Sequence, residues 1–305
     1  MITFEELRSR LTLPVIAAPM FMVSGPDLVI AAARSGIVGA FPTANARDST
    51  ELSAWLTRIH AERDPAHGAV AANLIVHRSN TRLDADLAAL LDQPTDLVIT
   101  SVGSPAAVVN PLHDKGALVF ADIATIRHAH RAIEAGVDGL ILLTAGAGGQ
   151  TGWANPFAFV RAVREFYPGP VVLAGGISDG IALRAARTLG ADLAYMGTKF
   201  LATTESLAPD AHKQMVAAST LDDIVETAAL TGLPTNMLKP SITQSGIDLE
   251  ALHPGHPDLK ALLAQATSPS PWLTFFSAGH STSGVHDIPT VAQLVDRTSK
   301  EYQAP

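Results

Sequence analysis

The chain has 305 residues, 47% of them hydrophobic, and its 29 acidic against 21 basic residues give a formal charge of −8. No Lys/Arg run could track a phosphate backbone, so nucleic acid is not an expected partner. The absence of cysteine removes disulfides, thiolate metal sites and a cysteine nucleophile and fits a reducing compartment. The opening MITFEELRSRLTLP lacks the basic-then-apolar order of a secretory signal, and no uncharged apolar run approaches the ~18 residues of a membrane span, so a cytoplasmic protein without membrane partners is expected.

From Val15 to Met196 short apolar runs, suited to strands buried on both faces, alternate with longer amphipathic stretches of helical period. In chain order the predicted strands begin at Val15 (VIAAP), Ile37 (IVGAF), Ala69 (AVAANL), Asp96 (DLVIT), Ala117 (ALVFAD), Gly139 (GLILLT), Val171 (VVLAG) and Leu193 (LAYMG). Helices are predicted over 27–34, 49–60, 83–91, 125–135, 156–167 and 180–189, and Gly36, Gly136 and Gly190 stop three of them. Strand starts roughly 20 to 32 residues apart leave room for one crossover helix each. Eight such units close naturally into a (β/α)8 TIM barrel, whereas a doubly wound open sheet more often stops at about five to seven strands. The rhythm breaks over 205–270, which carries HKQMVAAS, the Asp222-Asp223 pair, LTGLPTNMLKPS and HPGHPD. This region is read as a helix-and-loop insertion folding over the active site as a lid. Residues 1–204 and 271–305, with a last helix over 290–302, form the barrel.

In such a barrel the reactive face is where strand C-termini meet their loops. The seventh predicted strand ends in AGGISDG, with Gly175 and Gly176 ahead of a helix that Ser178 or Asp179 can cap, and the eighth ends in MGTKF, with Gly197 and Thr198. Main-chain N–H groups freed by glycine and backed by a helix N-terminus suit a phosphate, and barrels frequently hold one after strands 7 and 8. The same glycines would also serve tight strand-to-helix turns. The sixth strand runs into TAGAGGQTGW, residues 144–153, where glycine density lets main chain at Ala145, Gly148 and Gly149 approach a planar ligand. The segment does not match GxGxxG and no acidic residue follows for a dinucleotide ribose, so a Rossmann-type NAD site is disfavoured. The first strand ends in AAPM, where Pro19 removes a donor and Met20 offers a soft apolar wall. Asn73 ends the third strand with an amide able to donate and accept, Ser101 ends the fourth and Asp122 the fifth. The histidines, His253, His256 and His286 among them, show no HExxH-type spacing, and no metal site is expected.

The segments LPVIAAPM, AANL, EAGVDGLILLTAGAGGQTG, NPFAFVRAVR, GPVVLAGGISDG, GADLAYMGTKFLATTES, HKQMV, TNMLKPS and SAGHS agree in order and spacing with one family. Over nearly its whole length the chain resembles the nitronate monooxygenases, formerly called 2-nitropropane dioxygenases, which are FMN-dependent barrels. The resemblance implies an isoalloxazine ring against Ala18, Pro19, Met20 and Phe21, with Asn73 near its polar edge and the FMN phosphate on Gly175, Gly176, Gly197 and Thr198. Asp122 is then placed to bond Arg127 or a ribityl hydroxyl. Lys239 and Lys213 resemble positions near the entrance, Lys239 as an anion guide. Ser101 lies near the substrate. The implied reaction is oxidation of an alkyl nitronate by O2 to a carbonyl compound and nitrite. An NAD(P)H-dependent flavin reductase of an enoyl thioester or quinone, and an FMN-binding barrel without turnover, stay open. The partners implied are a small-molecule substrate and O2 or NAD(P)H, with a homodimer as the candidate assembly.

One departure bears on the chemistry. Family members usually carry, after the paired small residues of the sixth loop, a histidine that deprotonates the nitroalkane carbon, and here that position is Gln150. Glutamine has no titratable group near neutral pH, so it can orient a substrate without taking a proton. The late segment, AGQG in relatives, reads Ser277-Ala278-Gly279-His280, as though glutamine and histidine had exchanged places. His280 is therefore expected over the flavin, opposite Gln150, as the acid/base group; the plainer alternative is a loop histidine bonded to a backbone carbonyl. A substrate already ionised needs no proton abstraction, so nitronates are expected to react and neutral nitroalkanes to react poorly.

Overall fold

A computed structural model describes residues 2–252 and 274–304. The strands are β1 (Val15–Ala17), β2 (Val38–Pro42), β3 (Ala69–Ile75), β4 (Leu97–Ser101), β5 (Leu118–Ile123), β6 (Gly139–Leu143), a two-residue β7 (Gly149–Gln150), β8 (Val171–Ala174) and β9 (Leu193–Met196). All except β7 form a closed parallel barrel in that order, sealed where Val15, Ile16 and Ala17 of β1 face Ala194, Tyr195 and Met196 of β9. This is the expected TIM barrel, and β8 and β9 are its seventh and eighth strands.

The aliphatic runs form strands because the barrel buries both their faces. One alternating set, including Ile16, Ala71, Ile99, Phe120, Ile141 and Leu193, fills the lumen. The other, including Val70, Val98, Val119 and Leu142, meets the surrounding helices. Those helices are α2 (Pro26–Arg34), α3 (Ser49–Glu62), α4 (Leu83–Asp92), α5 (Ala106–Asp114), α6 (Ile126–Glu134), α7 (Pro156–Arg164) and α8 (Gly180–Leu189), followed after β9 by the short α9 (Thr198–Leu201). Asp48, Thr125, Asn155 and Asp179 cap four of them by accepting a main-chain N–H in the first turn. The N-terminal α1 (Phe4–Ser9) closes the end of the barrel opposite the strand C-termini, with Leu7 in the lumen cluster and the rings of Phe4 and Phe120 6.1 Å apart. Access is therefore from the other end.

A repeated device fixes that closed end. Asp96, Asp138 and Asp192, each just before a strand, accept the N–H of Val70, Val119 and Val171 at 3.0, 2.7 and 2.9 Å. Each also binds a basic side chain: Arg63 and Arg10 for Asp96, His113 for Asp138 and Arg164 for Asp192.

The region expected as helix and loop also contains strands. It holds α10 (Asp210–Ala218), β10 (Ile224–Thr227), β11 (Thr235–Leu238) and α11 (Lys239–Gln244). The sheet runs β10-β11-β7, entirely antiparallel, with Asn236 opposite Gly149 and Thr235 opposite Gln150. Four-residue strands carry too little alternation to stand out, and here they depend on a partner from a loop some 85 residues away. The chain ends in α12 (Val291–Gln303), opened by a Thr290/Gln293 capping box. His253 and His256 lie outside the described residues. Among those described, no helix is long and apolar enough to cross a membrane, and no group of acidic and histidine side chains could hold a metal ion.

Candidate active site at the barrel mouth

Strand alternation dictates what faces the open end of the lumen. One inward position beyond Ala71, Ile99, Phe120 and Leu193 come Asn73, Ser101, Asp122 and Tyr195, so an apolar core is topped by a polar layer. Asn73 and Ser101 are buried, and the Asn73 amide donates to the Ile99 carbonyl and the Ser101 hydroxyl, both at 3.1 Å. Asp122 Oδ1 and the Tyr195 hydroxyl are covered and have no hydrogen-bond partner among the described residues. Burial pushes the Asp122 carboxyl up to about 7. Burial, reinforced by the Asp122 charge, holds the Tyr195 phenol well above its ordinary value. Of the two partners expected for Asp122, Arg127 is exposed and makes no bond to it, which leaves the ribityl hydroxyl. Tyr195 was missed by the sequence reading, although its position two residues after Leu193 carried the signal.

The AAPM turn forms one wall. Ala18 is buried, Pro19 and Met20 are half-buried, and Phe21 is 41% exposed. The Asn45 side chain, also missed, fixes this turn: it donates to the Met20 and Ser24 carbonyls at 2.9 and 2.8 Å and accepts from Met22 N–H at 2.8 Å. Among the described residues, the non-glycine ones in the left-handed region, Met22 (φ 62°) and Val102 (φ 55°), both follow strand ends at this mouth. Such strain costs roughly 1–3 kcal/mol and clusters at functional sites.

A second wall gathers the glycine-rich loops. The loop after β6 and the late segment come so close that a methyl on Gly148 would sit 2.7 Å from the Gly279 nitrogen and 3.2 Å from the Thr198 hydroxyl. Thr198 is buried and accepts the Gly279 N–H at 2.9 Å. Gly175 abuts Thr144, Ala145 and Ala147, and Gly197 faces Met20 and Ala18. Gly176 is exposed with φ +73°, and nothing lies within 4 Å of where its side chain would be, so main chain there is open to a ligand. The helix behind it needs a correction. In α8 the Asp179 carboxylate accepts from Ala182 N–H at 2.7 Å and Glu301 from Gly180 N–H at 2.9 Å, so these first-turn donors already serve protein carboxylates. An anion at this corner would meet the glycine amides and the start of α9 instead.

Gln150 is exposed on β7, and its side chain makes no hydrogen bond among the described residues. His280 is exposed too; its main-chain N–H donates to the Gly146 carbonyl at 2.9 Å, and its ring packs on Gly146 without a ring hydrogen bond among the described residues. The histidine bonded to a carbonyl is another one. His212 is buried, donates from Nε2 to the Ser277 carbonyl at 2.9 Å and stacks on Phe276, and burial pulls its pKa down to about 4. Lys213 is not an exposed cation: it is buried with Nζ donating to the Ser206 carbonyl at 2.9 Å. Lys239 donates to the Asp222 carbonyl at 2.6 Å, which ties α11 to the turn before β10. Two clefts lie elsewhere, one at the closed end by Arg8, Pro14 and Arg187, the other beside α12 at Asp287 and Arg297. Neither gathers strand-end residues, so the chemistry points to the mouth.

The family model for nitronate monooxygenase matches residues 61–301. An octahydro-indene carboxyl-CoA dehydrogenase from Rhodococcus jostii is 29% identical over 285 residues, 93% of this chain and 77% of its own length. Its counterpart from Mycobacterium tuberculosis is 29% identical, with 64% of its length matched. The nitronate monooxygenase of Paraburkholderia phytofirmans is 27% identical over 283 residues, 79% of this chain and 77% of that protein. Among solved structures, FabK from Thermotoga maritima superposes with a TM-score of 0.84 at 23% identity over 98% of this chain and 94% of its own, which shows the fold. Nitroalkane oxidase from Streptomyces ansochromogenes gives 0.82 at 25% identity over 97% of each chain.

Proposed function

The chain belongs to the nitronate monooxygenase family and is an oxidoreductase, and from that premise we propose that its barrel mouth holds FMN and that it oxidises alkyl nitronates with O2. The observation that carries the reading is the combination of an open main-chain corner at Gly176 with a polar floor whose Asp122 Oδ1 and Tyr195 hydroxyl lack partners among the described residues. Such a surface fits a ligand with a phosphate at one end and a flat polar ring at the other.

In this reading the amides at Gly175, Gly176 and Gly197 and the Thr198 hydroxyl hold the phosphate. Ala18, Pro19, Met20 and Phe21 flank the ring on one side, and Ala145, Gly148 and Gly149 admit it closely on the other. Asn73 and Ser101, already bonded to each other, present a fixed polar edge. Bound FMN would supply the electron acceptor. The chain's own part is to orient the substrate, exclude water and hold protons. Gln150 can orient but takes no proton, and His280, whose ring makes no hydrogen bond among the described residues, is the acid/base candidate. The described part of the insertion, residues 205–252, acts as the lid, and Lys239, bonded to the Asp222 carbonyl, stiffens it rather than guiding anions from a free position; residues 253–270 lie outside the described residues.

A second reading, a flavin-dependent oxidoreductase of an acyl thioester working with NAD(P)H, is favoured by the CoA-thioester relatives, one of them similar over 93% of the chain. One experiment separates the two: an absorbance spectrum of the purified protein, then anaerobic addition of NADH, NADPH and propionate 3-nitronate in turn. Bleaching by the nitronate alone supports the first reading, and rapid bleaching by a nicotinamide supports the second. A yellow protein that nothing bleaches indicates binding without turnover, and one that takes up no FMN refutes all three.

A further inference from the structure

The two unpartnered atoms of the floor come from β5 and β9, which are separated by β6 and β8 around the barrel, so they face each other across the lumen instead of along a ladder. The charge of Asp122 reaches the Tyr195 phenol. Below them lie Phe120 and Leu193, both in the apolar lumen cluster, so no partner is available from that side. A buried polar atom without a partner costs roughly 1–3 kcal/mol, and a fold keeps such groups where a ligand satisfies them. Burial is the cause of the shift at Asp122, with no charged side chain contributing among the described residues. The other polar groups of the layer, Asn73 and Ser101, are neutral and bonded to each other, and Tyr195 is the titratable group that faces it.

A protonated carboxyl and a phenol are both donors, and two donors converging in a dry site suit an oxygen that carries negative charge. We propose that Asp122 and Tyr195 form a two-donor hole for an anionic oxygen on a planar conjugated group, either the nitronate or enolate oxygen of a substrate or the pyrimidine carbonyl of a reduced flavin. The inference rests on the flavin reading above and gives its floor a specific task. No bond is made or broken at the hole; it holds charge through hydrogen bonds. Its signature follows from the sign of the titration. Below about pH 7 Asp122 is a neutral donor, whereas above it the carboxylate repels the anion and hold on it weakens about tenfold per pH unit. Asp122→Asn keeps a neutral donor at every pH and abolishes that break.

The test uses FMN-loaded protein under anaerobic conditions, as wild type, Asp122→Asn and Tyr195→Phe, between pH 6 and 9. The substrate source is probed with 3,4-dinitrophenolate, an unreactive planar oxyanion, and the cofactor source with the midpoint potential of bound FMN. If the hole serves substrate, wild-type Kd for the phenolate rises above pH 7, Asp122→Asn is flat, and Tyr195→Phe binds about tenfold more weakly throughout. If it serves the cofactor, phenolate binding is unchanged while the potential-against-pH line breaks near 7 only where Asp122 is present. Tyr195→Phe then lowers the potential by about 30 mV, the equivalent of tenfold for two electrons. Should Asp122→Asn fail to fold, Tyr195→Phe decides by itself. Protein that binds no FMN overturns the flavin reading and this inference together. Protein that binds FMN yet gives identical profiles in all three forms overturns this inference alone.

Discussion

Replacing Gly176 by alanine, with Gly232→Ala as its matched control, separates backbone strain from lost ligand contact. Both glycines have left-handed backbones, φ +73° and +81°, and open space where a side chain would go. Gly232 sits in the β10–β11 turn, outside the loops that follow the seventh and eighth barrel strands. A non-glycine residue in this region costs roughly 1–2 kcal/mol, so both variants should unfold at a lower urea concentration by a similar amount. Only Gly176→Ala places a methyl where main-chain amides would meet a phosphate. Loss of one hydrogen bond to a charged oxygen is worth roughly 1.5–3 kcal/mol, about 10- to 150-fold in Kd. Titration of apoprotein with FMN, followed by quenching of flavin fluorescence, reads the difference directly. A Gly176→Ala protein that binds FMN within about twofold of wild type, or a Gly232→Ala protein that loses as much, would refute the assignment of this corner to the phosphate.

Three other outcomes follow from the same structure. The depressed pKa of buried His212, about 4 against 6.5 when unfolded, means that the fold favours the neutral ring; stability is intact above about pH 6.5 and falls by up to about 3 kcal/mol as pH drops towards 4. Urea titrations at several pH values should show His212→Gln without that dependence, and equal slopes would contradict it. Asp192→Ala, which strands the Val171 N–H and takes the carboxylate partner from Arg164 at the closed end, should lose about 2 kcal/mol of stability without changing FMN affinity, as judged by melting and titration. His280→Ala should slow turnover of neutral nitroalkanes by roughly a hundredfold or more while sparing preformed nitronates. Near-wild-type turnover on both forms by His280→Ala and Gln150→Ala alike would end the idea that these residues exchanged roles.

The sequence by itself determined the barrel, because short continuous aliphatic runs spaced by helix-length segments have few other ways to bury both strand faces. It also marked the strand-end glycines, whose conformational freedom is a property of the residue. Short-range chemistry of this kind is written in the letters. The tertiary structure alone decided which donors were free. Asp179 could be read as a cap, but Glu301 reaches Gly180 from 121 residues away, and only the folded chain shows that the first turn of α8 is taken. In the same way β7 pairs with β11, Lys213 is buried, and Asp122 meets Tyr195 across a lumen rather than Arg127 along the chain. Hydrogen bonds and desolvation depend on what surrounds an atom in space, and for these residues the surroundings come from distant parts of the sequence.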